Sequence, residues 1–273
     1  IKVVHTLDEV TYKPECLYIY SSAIPIESDR FEDFHDKENV LSRPEYLKNL
    51  SENHKIIGIT GTHGKTSTTA LLSHIFHFNN VNVSYLYGGI TTFNGIGGHY
   101  GDPDQPLILE TDEAFNTFEK IKISDLLVLN VDSDHLDYFK NLDNYKDAFY
   151  KVMKNVTDNL VINNDDLNIK SMKELKNRVS YGKDISADFK VQNPGTFIYE
   201  NNKYEIKSDI IGDHFKSNML GAIILALLNG IEIEDSLNAI ESFAGVKRRI
   251  ELIGISKGVL IYDDYGHHPT EMA

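Results

Sequence analysis

The sequence predicts an α/β fold in which a mostly parallel sheet, flanked by helices, carries a glycine-rich loop. Two observations support this prediction. Residues 55–66 (KIIGITGTHGKT) begin as a short β-branched strand, break at glycines and then open a helical pattern. Strand-like and helix-like segments then alternate along most of the chain, which is typical of parallel strands covered by helices on both faces. At 273 residues, the chain is long enough for about two domains.

Hydrophobic periodicity predicts the elements in chain order. Residues 1–49, with a strand at 17–20, form a partial N-terminal α/β domain. The central P-loop domain is expected over residues 50–244, with residues 88–106 as a glycine-rich loop. Its predicted strands lie at 81–89, 107–109, 126–131 and 160–162 with a hairpin pair in 189–206, and its helices at 145–156, 214–229 and 234–243. Residues 245–273 are predicted as a hinge and the start of a C-terminal Rossmann-like domain.

Composition excludes several classes of function. A formal net charge of −14 argues against a nucleic-acid partner, which needs a basic face, although a local loop and one or two cations suffice for a nucleotide. The single cysteine, Cys16, excludes an intrachain disulfide framework, so we expect a reducing, cytoplasmic location. No apolar run approaches the ~20 residues that a membrane span needs.

Residues 61–66 (GTHGKT) have the arrangement of a P-loop, because a strand, a glycine loop and a helix follow one another. Loop amides and the helix N-terminus would offer positive dipoles to phosphate. Lys65 would add a charge at the β- and γ-phosphates, and Thr66 would offer its hydroxyl to Mg²⁺. The match is not strict, because Ile59 stands where the usual pattern has its first glycine. The alternative is a plain glycine turn, but the position of Gly-Lys-Thr at the helix start favours phosphate.

Acidic and imidazole side chains follow two other predicted strands. Glu110 and Glu113 come after the strand at 107–109 and offer the hard oxygen ligands that suit Mg²⁺. His135 follows the strand at 126–131 and could bind a second divalent ion or orient a substrate group. Since ligands of open α/β sheets bind beyond the carboxyl ends of the strands, one site could include all of these groups. The alternatives are solvated loop charges and a helix cap.

Two further groups remain open to two interpretations. His214, Lys216 and Asn218 begin a predicted helix and could hold an adenine through an amide hydrogen bond and imidazole stacking, or simply cap the helix. Residues 247–249 (KRR) could neutralise a triphosphate or form a basic hinge. Arginine is the better phosphate ligand, because its planar fork binds two oxygens.

Five motifs in a fixed order resemble the Mur ligase family. They are residues 61–66 (GTHGKT), 110–113 (ETDE), 130–135 (NVDSDH), 245–249 (GVKRR) and 264–269 (DYGHHP). The likeness extends from Ser21 to Glu271 and is greatest to the member that joins L-alanine to UDP-N-acetylmuramate. It implies an ATP-dependent, amide-forming ligase of peptidoglycan synthesis. The substrate carboxylate would attack the γ-phosphate to give an acyl phosphate, and the amine of L-alanine would then displace phosphate.

The resemblance also implies roles for individual residues. The nucleotide would be bound by Gly61, Thr62, His63, Gly64, Lys65, Thr66, Ser67, His214, Asn218, Arg249, Asp264 and His267. Of these, His214 and Asn218 would contact adenine, Arg249 phosphate, and Asp264 and His267 the ribose side. Lys65, Glu110 and His135 would be catalytic, and Thr66, Glu110 and His135 would be the metal ligands. Ser21 and Ser22 would lie near the UDP-sugar, and the cofactors would be ATP and Mg²⁺.

Two departures from the family pattern stand out. Phe215 occupies a position where many relatives have asparagine. The family's glycine-rich UDP-binding turn and most of its C-terminal domain have no counterpart here, so we expect a piece of the full ligase that does not ligate alone. The alternatives are a recycling ligase that joins a peptide to UDP-N-acetylmuramate, a generic P-loop kinase or NTPase, and a non-catalytic nucleotide-binding or interaction module.

Overall fold

The chain divides into two compact units, Ile1–Asn53 and His54–Ala273. The computed structural model describes residues 10–21, 24, 26, 27, 29–91, 95–133, 136–172, 175 and 178–266. The predicted start of a further domain at residue 245 stays a prediction.

In the first unit, a short parallel strand pair leads into a helix. Strand β1 (Tyr18–Tyr20) pairs with β2 (Val40–Ser42), and helix α1 (Arg43–Asn53) follows directly. A capping box starts this helix, since Glu45 Oε2 accepts hydrogen bonds from the backbone N–H and the hydroxyl of Ser42 at 2.8 and 2.6 Å. The strand predicted at residues 17–20 is therefore confirmed.

A ten-stranded sheet, counted over the described residues, forms the centre of the second unit. Its strands are β3 (Ile56–Thr60), β4 (Ser84–Leu86), β5 (Gly98–His99), β6 (Leu107–Glu110), β7 (Asp125–Val128), β8 (Asn159–Asn163), β9 (Arg178–Gly182), β10 (Phe189–Asn193), β11 (Thr196–Tyr199) and β12 (Asn202–Glu205). In space they follow the order β12-β11-β10-β9-β8-β7-β3-β6-β4-β5. The strands from β10 to β4 are parallel to their neighbours, while β5, β11 and β12 add antiparallel edges.

Helices cover this sheet. They are α2 (Lys65–Phe78), α3 (Leu136–Phe139), α4 (Leu142–Lys154), α5 (Leu167–Lys170), α6 (Asp213–Leu228) and α7 (Ile233–Glu241). The helices α2, α4, α6 and α7 were predicted, whereas the four-residue helices α3 and α5 were not. Helix α6 contacts α2, α7 and the central strands, and its residues 222–226 are fully buried because it is apolar nearly all round. None of the described helices has the length and apolar character needed to cross a bilayer. The mostly parallel, helix-flanked sheet confirms the predicted fold class.

The last described residues form a separate antiparallel hairpin. Strand β13 (Glu251–Ser256) pairs with β14 (Val259–Asp263), so the apolar run at residues 259–262 forms a strand. The hairpin is joined to the sheet unit by the basic residues 247–249.

Several predicted boundaries were wrong. The strand predicted at residues 126–131 ends at Val128, because beyond it the side chains of Asn163 and Asp166 bind the Leu129 carbonyl and the Val131 amide. The strand predicted at 81–89 is only β4, and the predicted loop at 88–106 contains β5. Strands β2, β5, β9 and β13 were not predicted. Strands β2 and β5 have only three and two residues. Strands β9 and β13 were missed although Val179 and Tyr181 alternate with polar residues in β9 and Leu252, Ile253 and Ile255 are apolar in β13.

Truncating an apolar side chain in the core should lower the free energy of unfolding. Leu72 in α2 is fully buried in the cluster between α2, α6 and the sheet. We expect Leu72→Ala to lower the free energy of unfolding by about 2–5 kcal/mol in urea denaturation. Leu167→Ala is the matched control, because Leu167 is 80% exposed, and it should change stability by no more than about 0.5 kcal/mol. Equal losses for both variants would contradict this account of the core.

A half-buried histidine of α2 that faces α7 predicts a pH dependence of stability. His74 Nε2 lies 3.0 Å from the Ala239 carbonyl oxygen and 2.9 Å from Ser242 Oγ. Burial, assisted by the charge of His77, lowers the pKa of His74, although the Ala239 carbonyl opposes this. The unfolded chain therefore binds the proton more readily, and the free energy of unfolding falls as the pH drops below about 6.5. We expect thermal melts of His74→Gln to show a weaker pH dependence than wild type, and identical slopes would refute the assignment.

Candidate nucleotide-binding site

The loop between β3 and α2 turns at Gly64, whose φ is 85°. A side chain is strained in this left-handed conformation, and a Cβ atom would also collide with the side-chain amide of Asn218. Gly64 provides no side-chain cap for α2, a helix of 14 residues. The positive end of the helix dipole therefore lies at the loop, which is the usual arrangement for binding phosphate.

The segment after β7 holds this loop in place through Asn130. Its side-chain amide accepts from the His63 N–H at 2.8 Å and donates to the His63 carbonyl at 3.0 Å. The Thr62 hydroxyl adds a second connection, because it accepts from the Asp132 N–H at 2.8 Å. These hydrogen bonds tie the loop to the segment that follows β7. Sequence reasoning included Asn130 in a motif but gave it no role.

Lys65 makes an ion pair with a buried carboxylate. Its Nζ atom lies 2.9 Å from Glu113 Oε1 and also donates to the carbonyls of Gly61 and Thr62 at 2.7 and 3.2 Å. The Glu113 side chain has no exposed surface, and the Tyr145 hydroxyl donates to the same oxygen at 3.3 Å. Burial raises the pKa of Glu113, while the Lys65 ammonium acts in the opposite direction. The sequence offered Glu113 as a metal ligand, but the structure makes it the counter-ion of Lys65.

Thr66 and Glu110 meet beside this ion pair. The Thr66 hydroxyl donates to Glu110 Oε1 at 2.9 Å, and the Gly88 N–H donates to Glu110 Oε2 at 2.7 Å. A hydroxyl and a carboxylate are the hard oxygen ligands that Mg²⁺ prefers, so the two side chains fit this ion. Over the described part of the chain, no cluster of three or more His, Cys, Asp and Glu side chains is arranged to hold a metal. The third predicted ligand, His135, lies outside the described residues.

A cavity opens next to the start of α2. Its lining is mainly apolar and comes from α2, from α6 and the residues before it, and from the segment after α7: Ser67, Thr68, Leu71, Ile210, Phe215, Asn218, Met219, Phe243, Gly245, Val246 and Arg249. Its volume of about 10 Å³ is far below that of a typical small-molecule pocket, so it marks where these elements meet and is not a fully formed ligand site. The structure therefore brings Ser67, Asn218 and Arg249 together beside the glycine loop.

Other predicted site residues lie elsewhere or outside the described residues. His214 lines a second cavity with Asp165 and Lys183, on another side of α6 from Asn218. Both carboxylate oxygens of Asp264 accept backbone hydrogen bonds, from Ile250 at 2.7 Å and Gly266 at 2.6 Å, so this side chain stabilises the end of the hairpin. Ser21 is exposed in the first unit. Ser22, His135 and His267 lie outside the described residues. Roles for all these residues stay predictions.

The central strands are parallel, Gly-Lys-Thr lies at the start of a helix, and acidic residues follow the neighbouring strand. Together these features define an α/β protein of the P-loop class. A family model described as the Mur ligase middle domain matches residues 59–226. The chain therefore belongs to the Mur ligase family.

Two of the curated relatives have the same name. The UDP-N-acetylmuramate–L-alanine ligase of Dictyoglomus turgidum is 34% identical over 94% of this chain and 58% of its own length. The enzyme of the same name from Clostridium botulinum (strain Langeland) is 36% identical over 94% of this chain and 59% of its own length. The chain thus spans a little under three fifths of the length of these relatives.

Solved structures show the same fold. UDP-N-acetylmuramate-alanine ligase from Thermotoga maritima matches 99% of this chain and 64% of its own, with a TM-score of 0.81 and 24% identity. A murein peptide ligase from Psychrobacter arcticus matches 92% of this chain and 60% of its own, with a TM-score of 0.70 and 23% identity.

Proposed function

We propose that this chain supplies the nucleotide-binding part of an ATP-dependent ligase that joins L-alanine to the carboxylate of UDP-N-acetylmuramate. One observation carries the proposal: Lys65 and the Thr66–Glu110 pair lie at adjacent strand ends, beside a cavity lined by Asn218 and Arg249. The names of the curated relatives support the choice of substrates. The single cysteine and the expected UDP-sugar chemistry support a cytoplasmic location.

The site residues would act mainly by positioning and by neutralising charge. An anionic carboxylate must approach an anionic triphosphate, so cations have to surround the γ-phosphate. Lys65 would leave Glu113 to contact the phosphates, and the amides at the start of α2 would bind the same oxygens. Thr66 and Glu110 would hold Mg²⁺, which supplies positive charge at the phosphates when bound. His135 is proposed to lie near a second ion.

The rest of the nucleotide would lie against the residues that line the small cavity, which has a volume of about 10 Å³ and would have to widen to take it. The Asn218 amide could pair with the edge of an adenine ring, and the rings of Phe215 and Phe243 offer apolar surface to its faces. Arg249, which also lines the cavity, would bind phosphate. In the reaction, the substrate carboxylate attacks the γ-phosphorus and ADP leaves. The amine of L-alanine then attacks the acyl phosphate, and inorganic phosphate leaves.

Phosphate release from the product of the whole gene tests this proposal. We expect ATP-dependent release only when UDP-N-acetylmuramate and L-alanine are both present, and little when either is omitted. A parallel reaction with a free peptide in place of L-alanine tests the recycling ligase. If the rate of phosphate release is the same with and without both substrates, the ligase proposal is overturned in favour of a plain NTPase.

A further inference from the structure

A short segment after β4 contacts both sides of the proposed site. We call residues 87–91 the strap. We propose that the strap is a positioning segment, in which Tyr87 and Thr91 are the positioning residues that set Glu110 and the basic segment 246–249 relative to each other. This inference rests on the proposed function, since it gives the strap a role in arranging the metal carboxylate and the phosphate-binding arginine.

On the metal side, the strap fixes the carboxylate of Glu110. The Gly88 N–H donates to Glu110 Oε2 at 2.7 Å, and the Thr66 hydroxyl donates to Glu110 Oε1 at 2.9 Å. Each carboxylate oxygen thus has its own donor, and the plane of the carboxylate is defined. A shift of the Gly88 amide would rotate the group that we propose as a Mg²⁺ ligand.

On the other side, the strap pairs with the segment that carries Arg249. The Lys247 N–H donates to the Ile90 carbonyl at 2.8 Å, and Thr91 forms an antiparallel bridge with Val246. The Arg249 N–H in turn donates to the Val246 carbonyl at 3.2 Å. The position of the arginine therefore follows the position of the strap.

A buried pair of hydroxyl groups connects the two ends of the strap. Tyr87 OH and Thr91 Oγ1 are 3.1 Å apart, and the two residues are only 5% and 1% exposed. Burial raises the pKa of Tyr87 to about 12, so its hydroxyl keeps its proton near neutral pH. The base of the strap is held as well, because the Tyr87 N–H donates to the Gly97 carbonyl at 2.7 Å.

Gly89 shows how closely the strap is packed. A Cβ atom at this position would lie 2.7 Å from Thr66 Cγ2 and 2.9 Å from Val246 Cγ1. Only glycine lets the backbone pass between the start of α2 and the basic segment at this distance. The strap therefore cannot move away from one side without disturbing the other.

Amide hydrogen exchange of the nucleotide-free protein tests the strap directly. Thr91→Val and Tyr87→Phe each remove one hydroxyl and keep the shape of the side chain. We expect exchange at Gly88 and at Lys247 to become about tenfold faster in both variants, because the shared hydrogen bond is lost. Tyr181→Phe is the matched control, since it removes a fully buried hydroxyl outside the strap and should leave both amides unchanged. Faster exchange at Gly88 alone, or at neither amide, would overturn the proposal.

The Mg²⁺ dependence of ATP binding is the second measurement. In the two strap variants, the Mg²⁺ concentration that half-saturates ATP binding should rise about three- to tenfold, and Thr91→Ser should restore the wild-type value. Wild-type values in both variants would overturn the positioning role. If wild type itself shows no Mg²⁺-dependent ATP binding, the proposed function fails, and the exchange experiment still decides whether the strap couples the two segments.

Discussion

Replacing Lys65 with methionine is expected to weaken ATP binding by at least about a hundredfold, because two charge-assisted hydrogen bonds of about 1.5 kcal/mol each are lost. The Lys65 ammonium lies in the loop, where it donates to the backbone carbonyls of Gly61 and Thr62. Isothermal titration with ATP and Mg²⁺ measures the effect. Unchanged affinity would refute the P-loop assignment.

The same substitution tests the ion pair separately from nucleotide binding. Lys65→Met leaves the buried Glu113 carboxylate without its cation, which should lower the free energy of unfolding by about 3–5 kcal/mol. Adding Glu113→Gln removes the charge and should recover most of that stability in urea denaturation. The double variant should still fail to bind ATP. If ATP binding returned together with stability, the loss in the single variant would be a folding defect and not the loss of a phosphate contact.

Glu110→Gln is expected to have the second largest effect. The amide keeps the size of the side chain but removes the negative charge that would attract Mg²⁺. We expect ATP-dependent phosphate release by the whole gene product to fall about a hundredfold or more, and the Mg²⁺ requirement to rise.

The matched control for Glu110 is Glu119→Gln. Glu119 is exposed and lies 3.8 Å from Lys151, so its ion pair contributes little. It should behave like wild type in the same assay. Equal activities of the two variants at all Mg²⁺ concentrations would contradict the metal role of Glu110.

The parts of the site that are contiguous in the chain could be predicted from the sequence. The strand, the glycine turn and the Lys-Thr helix start lie within twelve residues, and local rules suffice for them. The supports of the loop could not be predicted in this way. Asn130 is 67 residues from His63, and Tyr145 is 32 residues from Glu113. These residues meet only because particular strands become neighbours in the sheet. A local sequence pattern carries no information on which strands become neighbours.

Helix α6 shows a second limit of prediction from spacing. His214 and Asn218 are four residues apart, a spacing that usually puts two side chains on one face. Phe215, Asn218 and Met219 line the cavity beside the loop, whereas His214 lines the other cavity. His214 lies in the first turn, at the border between these two faces, so its spacing from Asn218 did not decide its side. Its assignment to adenine stays a prediction.

The position of β3 in the middle of the sheet has a consequence for how the chain folds. Its neighbours β6 and β7 are both made later, since Ile57 pairs with Ile108 on one side and Asp125 on the other. Such parallel, non-local pairings give a high contact order, and folding must close long loops before they can form. During synthesis, the apolar strand β3 therefore stays unpaired until both of its partner strands have left the ribosome. We expect refolding to be slow and the nascent chain to depend on chaperones during that interval.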